Sequence, residues 1–163
     1  MNYLEVCIML TAKENFLETI KVDGKPDRLV KQYEGNAFFP PNPAAMYIRG
    51  NRHPGMEPLK DRFGTTILWP ENQVAAMPHV TNENKVISDI TEWKEQLVMP
   101  DLEANCSDPA LWEPFIKQAE EIRAKGELVM AFMPTGVFER LHFLMGFEDM
   151  LMNFLLEPED MMD

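Results

Sequence analysis

Arg49 and Arg52 flank Gly50 and Asn51 in a stretch crowded with turn residues. Guanidinium groups three positions apart can grip an anionic ligand through charge-assisted hydrogen bonds; solvated loop charge is the competing reading. A second group follows the apolar run Glu127-Leu-Val-Met-Ala-Phe-Met133. It comprises the turn Met133-Pro-Thr-Gly136 and a helical pattern whose first turns hold Glu139 and Arg140. Ligands of α/β proteins sit at the carboxyl ends of strands, so Thr135 and Gly136 are ligand-facing candidates. Glu139 and Arg140 either line that pocket or form an ion pair along the helix face. His53, His79 and His142 lie far apart without metal-ligand spacing, so loop or packing roles compete with a site role for each. Cys7 and Cys106 share no CxxC or CxH spacing, which predicts thiols in a reducing cytoplasm and no disulfide.

Those groups need elements to position them. Thr11-Ala-Lys-Glu14 fits a capping box and opens a helix over residues 12–22, with Phe16, Leu17 and Ile20 on one face and Gly24 and Pro26 behind it. Residues 1–8 lack the basic start and cleavage site of a signal peptide and read as an N-terminal extension. Arg28-Leu-Val-Lys-Gln-Tyr33 is a strand candidate. From Glu34 to Asp61, five prolines and three glycines break ladders and helices, which predicts a long loop with local turns, either a binding loop or disorder.

Thr65-Thr-Ile-Leu-Trp69 reads as a strand, and Ile90 to Leu97 as a short helix capped by Asp89 or Thr91. Asp108 with Pro109 is a strong helix start, and Leu111, Trp112, Phe115, Ile116, Ala119 and Ile122 then make one apolar stripe. Glu127 to Met133 reads as a strand buried on both faces, as in a parallel sheet. Val137 to Met145 and Phe147 to Leu156 read as helices separated by Gly146. Helix, strand, glycine turn and helix in this order predict an α/β fold. Glu157-Pro-Glu-Asp160 looks like the acidic first turn of a further helix. A helix start so near the last residue predicts the N-terminal part of a longer protein, with a frayed acidic tail as the alternative.

Composition narrows the partners. The 163 residues are 45% apolar and 26% charged, and the net charge of -12 speaks against a nucleic-acid binder, which needs a basic stripe to displace counterions. No apolar run approaches the roughly 20 residues of a membrane span. Thirteen methionines, crowded toward the C-terminal end, suit either helix cores or an adaptable surface for a flat cofactor. Trp69, Trp93 and Trp112 fall at strand or helix-face positions expected in a core.

Met9-Leu-Thr-Ala-Lys-Glu-Asn-Phe-Leu-Glu-Thr-Ile20, Gly24-Lys-Pro-Asp-Arg28, Asp61-Arg-Phe-Gly64, Gly136-Val-Phe-Glu-Arg140, Gly146-Phe-Glu-Asp149 and Glu157-Pro-Glu159, in that order, resemble the N-terminal half of the uroporphyrinogen decarboxylase-like family. The likeness covers residues 9–163 and implies an incomplete (β/α)8 barrel, because such a barrel takes about 250 residues. The family holds the haem-pathway decarboxylase and corrinoid-dependent methyltransferases. The decarboxylase pairs the acidic arms of its tetrapyrrole with an arginine-rich segment after the first strand, whereas Leu29-Val-Lys-Gln-Tyr-Glu-Gly-Asn36 has no arginine. A chain of net charge -12 would also repel an octa-acidic substrate.

The resemblance therefore implies a methyltransferase that moves a methyl group to or from a corrinoid protein. Uroporphyrinogen decarboxylase itself, and a non-catalytic half-barrel that needs a partner chain, are the alternatives. It places Asp61 near the family's active-site aspartate and His142 near a substrate-facing tyrosine of the decarboxylase, which makes both candidate catalytic residues. Phe63 and Gly64 join Thr135, Gly136, Glu139 and Arg140 as candidate substrate-binding residues. Several family members hold zinc through a His-x-Cys and a later Cys in the C-terminal half. No such motif occurs here, so zinc is expected only through a continuation beyond Asp163. The expected partners are a corrinoid protein, a small methyl donor or acceptor and further copies of the chain, without nucleic acid or membrane.

Overall fold

Thr11 caps the first helix as its spacing predicts: its hydroxyl accepts from the Glu14 N–H at 3.2 Å, and the Glu14 carboxylate accepts from the Thr11 N–H at 2.8 Å. The computed structural model describes residues 9–39, 42–131 and 135–163; the proposed N-terminal extension with Cys7, and Met133 and Pro134, lie outside them. The described chain is mixed α/β. Its order is α1 (Ala12–Ile20), β1 (Asn36–Phe39), α2 (Pro43–Arg49), β2 (Met56–Lys60), β3 (Thr66–Trp69), β4 (Met77–Pro78), a 3-10 turn (Ile90–Glu92), α3 (Trp93–Gln96), α4 (Leu102–Cys106), α5 (Pro109–Ala124), β5 (Leu128–Ala131), α6 (Val137–Met145), α7 (Phe147–Leu156) and α8 (Pro158–Met162). Among the described residues no helix is long and apolar enough to cross a membrane.

The chain divides into two units. The first draws on the stretch up to residue 40 and on 112–132. Its sheet is a parallel pair, Asn36 opposite Leu128 and Ala37 opposite Val129. Arg28 to Tyr33 is not a strand: those residues run into a turn, and the ladder begins three residues later at Asn36. The chain there is pinned by side chains, which the β-propensity of Leu29 and Val30 cannot register. Asn15, fully buried, donates to the Leu10 and Thr11 carbonyls at 3.0 and 3.3 Å and accepts from the Asp27 and Arg28 N–H groups at 2.8 and 3.2 Å. Asp27 accepts from the Leu10 N–H at 2.7 Å, and Arg28 grips Glu34 through both outer nitrogens, at 2.6 and 3.1 Å. Gly24-Lys-Pro-Asp-Arg28 is thereby a structural clasp. β5 also departs from expectation. Leu128, Val129 and Met130 are half-buried and Ala131 is exposed, so this two-stranded ladder is not covered on both faces as an interior strand of a parallel sheet is. On α5, Ile122 is buried but Ile116 is exposed, so periodicity marks a face that can be covered rather than one that is.

Hydrogen bonds set the acid response of this unit. The Thr11 backbone N–H holds Glu14 below its ordinary value, the Leu10 N–H does the same for Asp27, and the Arg28 side chain for Glu34. A carboxylate whose folded pKa is depressed adds stability above its unfolded pKa, near 4, and that contribution disappears as pH falls through the folded value. Thermal unfolding should therefore move to lower temperature as pH is taken from about 5 to about 3. Glu34→Gln should flatten that decline; a variant with the parent's pH profile would refute the assignment.

The second unit comprises residues 41–111 and those from 133 onward. The loop expected between Glu34 and Asp61 is built instead of β1, α2 and β2. Two of the prolines sit where their missing N–H is harmless. Pro43 opens α2 behind Asn42, whose side chain accepts from the Ala45 N–H at 2.9 Å, and Pro58 lies at a register irregularity in the edge strand β2. β2, β3 and β4 form an antiparallel sheet in that order. The β2–β3 connection is the Asp61-Arg-Phe-Gly64 motif. The Asp61 N–H donates to Thr65 O and the Gly64 N–H to Asp61 O, both at 2.9 Å, and Gly64 at φ 87° supplies the left-handed residue of a three-residue hairpin loop.

The core of this unit joins Ile87, Ile90, Leu144, Met145, Met150 and Met161, with Phe63 and Trp93 packed against it. Three of the methionines are thus core. α6 ends where the Leu144 carbonyl accepts from the Val86 and Ile87 N–H groups at 2.8 and 3.0 Å, and Gly146 at φ 90° turns the chain into α7. α4, with buried Cys106, was not foreseen; five residues are too short to show a period.

Candidate functional site

Asp61 gathers the site. Its carboxylate is almost fully withdrawn from water, with the side chain 2% exposed. One oxygen accepts from the N–H groups of Phe63 and Thr65, each at 3.0 Å, and so ties the hairpin loop to its own first residue. The other accepts from Arg140 Nη1 at 2.9 Å. α6 brings Arg140 to that point, and the Thr65 hydroxyl donates to the Phe143 carbonyl at 3.3 Å, fixing the same helix to the start of β3. The Arg140 guanidinium lies over the Phe63 ring, 4.2 Å from its centroid, and 5.9 Å from that of Phe143. Arg140 therefore pairs with Asp61 and not with its neighbour Glu139, which corrects the expected helix-face ion pair.

Arg52 approaches the same carboxylate oxygen at 4.0 Å, and its Nε donates to the Arg49 carbonyl at 2.9 Å. It is not a solvated loop charge, since its side chain is only 13% exposed. Burial, then repulsion from Arg49 and Arg140, pushes Arg52 below the usual arginine value, with Asp61 opposing the shift. The guanidinium stays protonated at neutral pH. Arg62, from the hairpin loop, lies over the Tyr47 ring at 4.7 Å, and its N–H donates to the Ile48 carbonyl at 3.0 Å. A chain of net charge -12 thus concentrates guanidinium groups around a single buried carboxylate.

The other expected residues are placed differently. Thr135, Gly136 and Glu139 are exposed at the start of α6. A Cβ on Gly136 would lie 2.7 Å from a Glu139 carboxylate oxygen, so the helix's first turn is covered by its own side chain. Thr135 has φ 80°, an uncommon backbone conformation for a β-branched residue. His142 is half-buried on α6, edge-on to Phe138, Phe143 and Phe147 at ring-centroid distances of 6.0, 4.6 and 5.9 Å. The structure thus brings together Asp61, Phe63, Gly64 and Arg140, and seats His142 in an aromatic cluster that shares Phe143 with them.

No protein-family model, curated protein or solved structure matches the chain. Chemistry must therefore be argued from the side chains. With both oxygens of Asp61 engaged, the carboxylate anchors the arginines, and any proton transfer by it would first have to break the Arg140 pair. Among the described residues no three His, Cys, Asp or Glu side chains converge to hold a metal ion; they do not fit a zinc site, and no step is assigned through zinc. Two clefts of about 290 and 450 Å3 lie along α7, lined in part by Lys85, Met145 and Asp149, and hold none of the expected site residues. Arg52 carried a signal in the sequence. Phe143 and Tyr47 did not, because an aromatic under a cation looks like any half-buried core residue.

Proposed function

We propose that this chain is part of a (β/α)8 barrel of the uroporphyrinogen decarboxylase-like type, and that the protein transfers a methyl group to or from a corrinoid carried by a partner protein. The observation that carries the reading is the arginine pair at Asp61, Arg140 in contact and Arg52 at 4.0 Å. With Arg140 held on Asp61 and the outer nitrogens of Arg52 not bonded to it, the pair supports the reading of a place for an anion in a chain that otherwise repels anions. The ordered series of motifs from Met9 to Glu159 supports the family assignment. The parallel β1–β5 pair, with α5 before β5 and α6 after it in the chain, is compatible with an α/β fold of that kind.

In this mechanism the corrinoid supplies the nucleophilic metal that takes up the methyl group, while the chain binds and orients the methylated molecule. Arg52 and Arg140 hold its anionic end, and the donor heteroatom keeps the bonding pair and takes a proton as it departs. His142, in its aromatic setting on α6, is the group assigned to that proton.

The test is an assay of the protein as encoded, with cob(I)alamin and a panel of methylated amines, thiols and ethers, following the methylcobalamin spectrum. Formation of methylcobalamin with one donor class is expected. Conversion of uroporphyrinogen to coproporphyrinogen would replace the reading with the decarboxylase. Inactivity in both assays, even with a corrinoid protein present, would favour the non-catalytic half-barrel.

A further inference from the structure

We infer that Arg52 and Arg140 form a binding site for a small molecule bearing one carboxylate. The site stands on geometry alone, and only its assignment to the methylated substrate rests on the reading above. A guanidinium offers five N–H donors. Arg52 spends Nε on the Arg49 carbonyl, but its outer nitrogens approach Asp61 only to 4.0 Å, beyond hydrogen-bond distance, while Arg140 donates to the same oxygen at 2.9 Å. Arg52 is nonetheless largely withdrawn from water. Among the described residues its outer nitrogens make no hydrogen bond to the protein. Among the described residues no buried side-chain nitrogen or oxygen lacks a partner, so these nitrogens are met by solvent and open to a ligand that displaces it. Arg49 adds a further positive charge, while Phe63 covers one face of Arg140 and limits the approach to its edge.

A planar acceptor with two oxygens matches this fork in a way that a spherical halide does not. A single negative charge is favoured over a dianion because the chain's net charge of -12 opposes each added charge. A carboxylate meets both conditions.

The test is a titration of the protein as encoded with acetate, at constant ionic strength set by sodium chloride, following the arginine Nε–H signals by 15N-edited NMR. Saturable shifts of the Arg52 and Arg140 signals are expected. Arg52→Gln should weaken acetate binding by about tenfold or more. Arg52→Lys, which keeps the charge but loses the fork, should also bind more weakly, and serves if the glutamine variant does not fold. Identical shifts with chloride alone, tighter binding of inorganic phosphate than of acetate, or parental acetate affinity in the Arg52 variants would each overturn the site. The two readings fail separately. Acetate binding without methyl transfer on any donor would leave this site and remove the methyltransferase, whereas methyl transfer without acetate binding would do the reverse.

Discussion

Replacing Asp61 with alanine should cost the second unit about 3–5 kcal/mol, the range expected when one partner of a buried charge pair is removed. Three groups lose their acceptor together. Arg140 keeps a half-buried guanidinium facing an empty space, and the N–H groups of Phe63 and Thr65, both at 3.0 Å from the same oxygen, are left unpaired at the head of the hairpin. Arg52 loses the charge that opposes its burial. Asp61→Asn separates these contributions. Its amide oxygen still serves the two N–H groups of the loop, while its NH2 faces Arg140 donor to donor, so the difference between the variants reports the turn. The readout is urea denaturation followed by tryptophan fluorescence; Trp69 and Trp93 both belong to this unit. Amide exchange at Phe63 and Thr65 provides the local check. An alanine variant within about 1 kcal/mol of the parent, with both amides still protected, would show that the carboxylate anchors nothing.

The elements read best from the sequence were those whose ends are marked by local chemistry. Thr11 with Glu14, Asp108 with Pro109, and Gly146 announce helix boundaries through groups within four residues of one another, and α1, α5, α6 and α7 lie where those signals put them. The region from residue 34 to 61 was misread because proline was counted as a breaker without regard to position. At the start of α2 and at the bulge of β2 it breaks nothing. The strand misplaced at Arg28 was lost to the pairing of Arg28 with Glu34 and of Asn15 with the backbone of Asp27. Both depend on where the chain returns, and no window of sequence holds that information.

The candidate site was legible only in pieces. Arg52 and Arg140 were visible as separate cationic positions, and Asp61 as part of a motif, but 79 positions separate Asp61 from Arg140. Nothing local says that α6 will set one beside the other. What joins them is the shared attachment of the hairpin to α6, through Thr65 to the Phe143 carbonyl and through Phe63 under the guanidinium. The same contacts explain why Asp61-Arg-Phe-Gly64 reads as a motif. Its aspartate closes the loop, its phenylalanine seats Arg140, and its glycine takes the one backbone conformation in the loop that a side chain would strain.

Asn15→Ala is expected to destabilise the first unit by about 2–4 kcal/mol, although no charge is involved. The asparagine is fully buried and uses both ends of its amide. Its NH2 serves the carbonyls that precede and open α1, and its oxygen serves two N–H groups twelve and thirteen residues further on. Alanine would keep the helix, whose capping box at Thr11 is independent of residue 15, but would detach the segment carrying Asp27 and Arg28. The grip of Arg28 on Glu34, which leads directly into β1, would loosen with it. Asn15→Asp is the sharper control. Its carboxylate can still accept from Asp27 and Arg28 but would face the Leu10 and Thr11 carbonyls with no hydrogen to donate, so it should be no better than alanine at neutral pH, and its deficit relative to the parent at the same pH should shrink on acidification as the carboxyl gains a proton. Trp112, which lies in this unit, reports the transition. A deficit of Asn15→Asp relative to the parent that is independent of pH, or an alanine variant that melts with the parent, would show that the Gly24-Lys-Pro-Asp-Arg28 segment is held by something other than this amide.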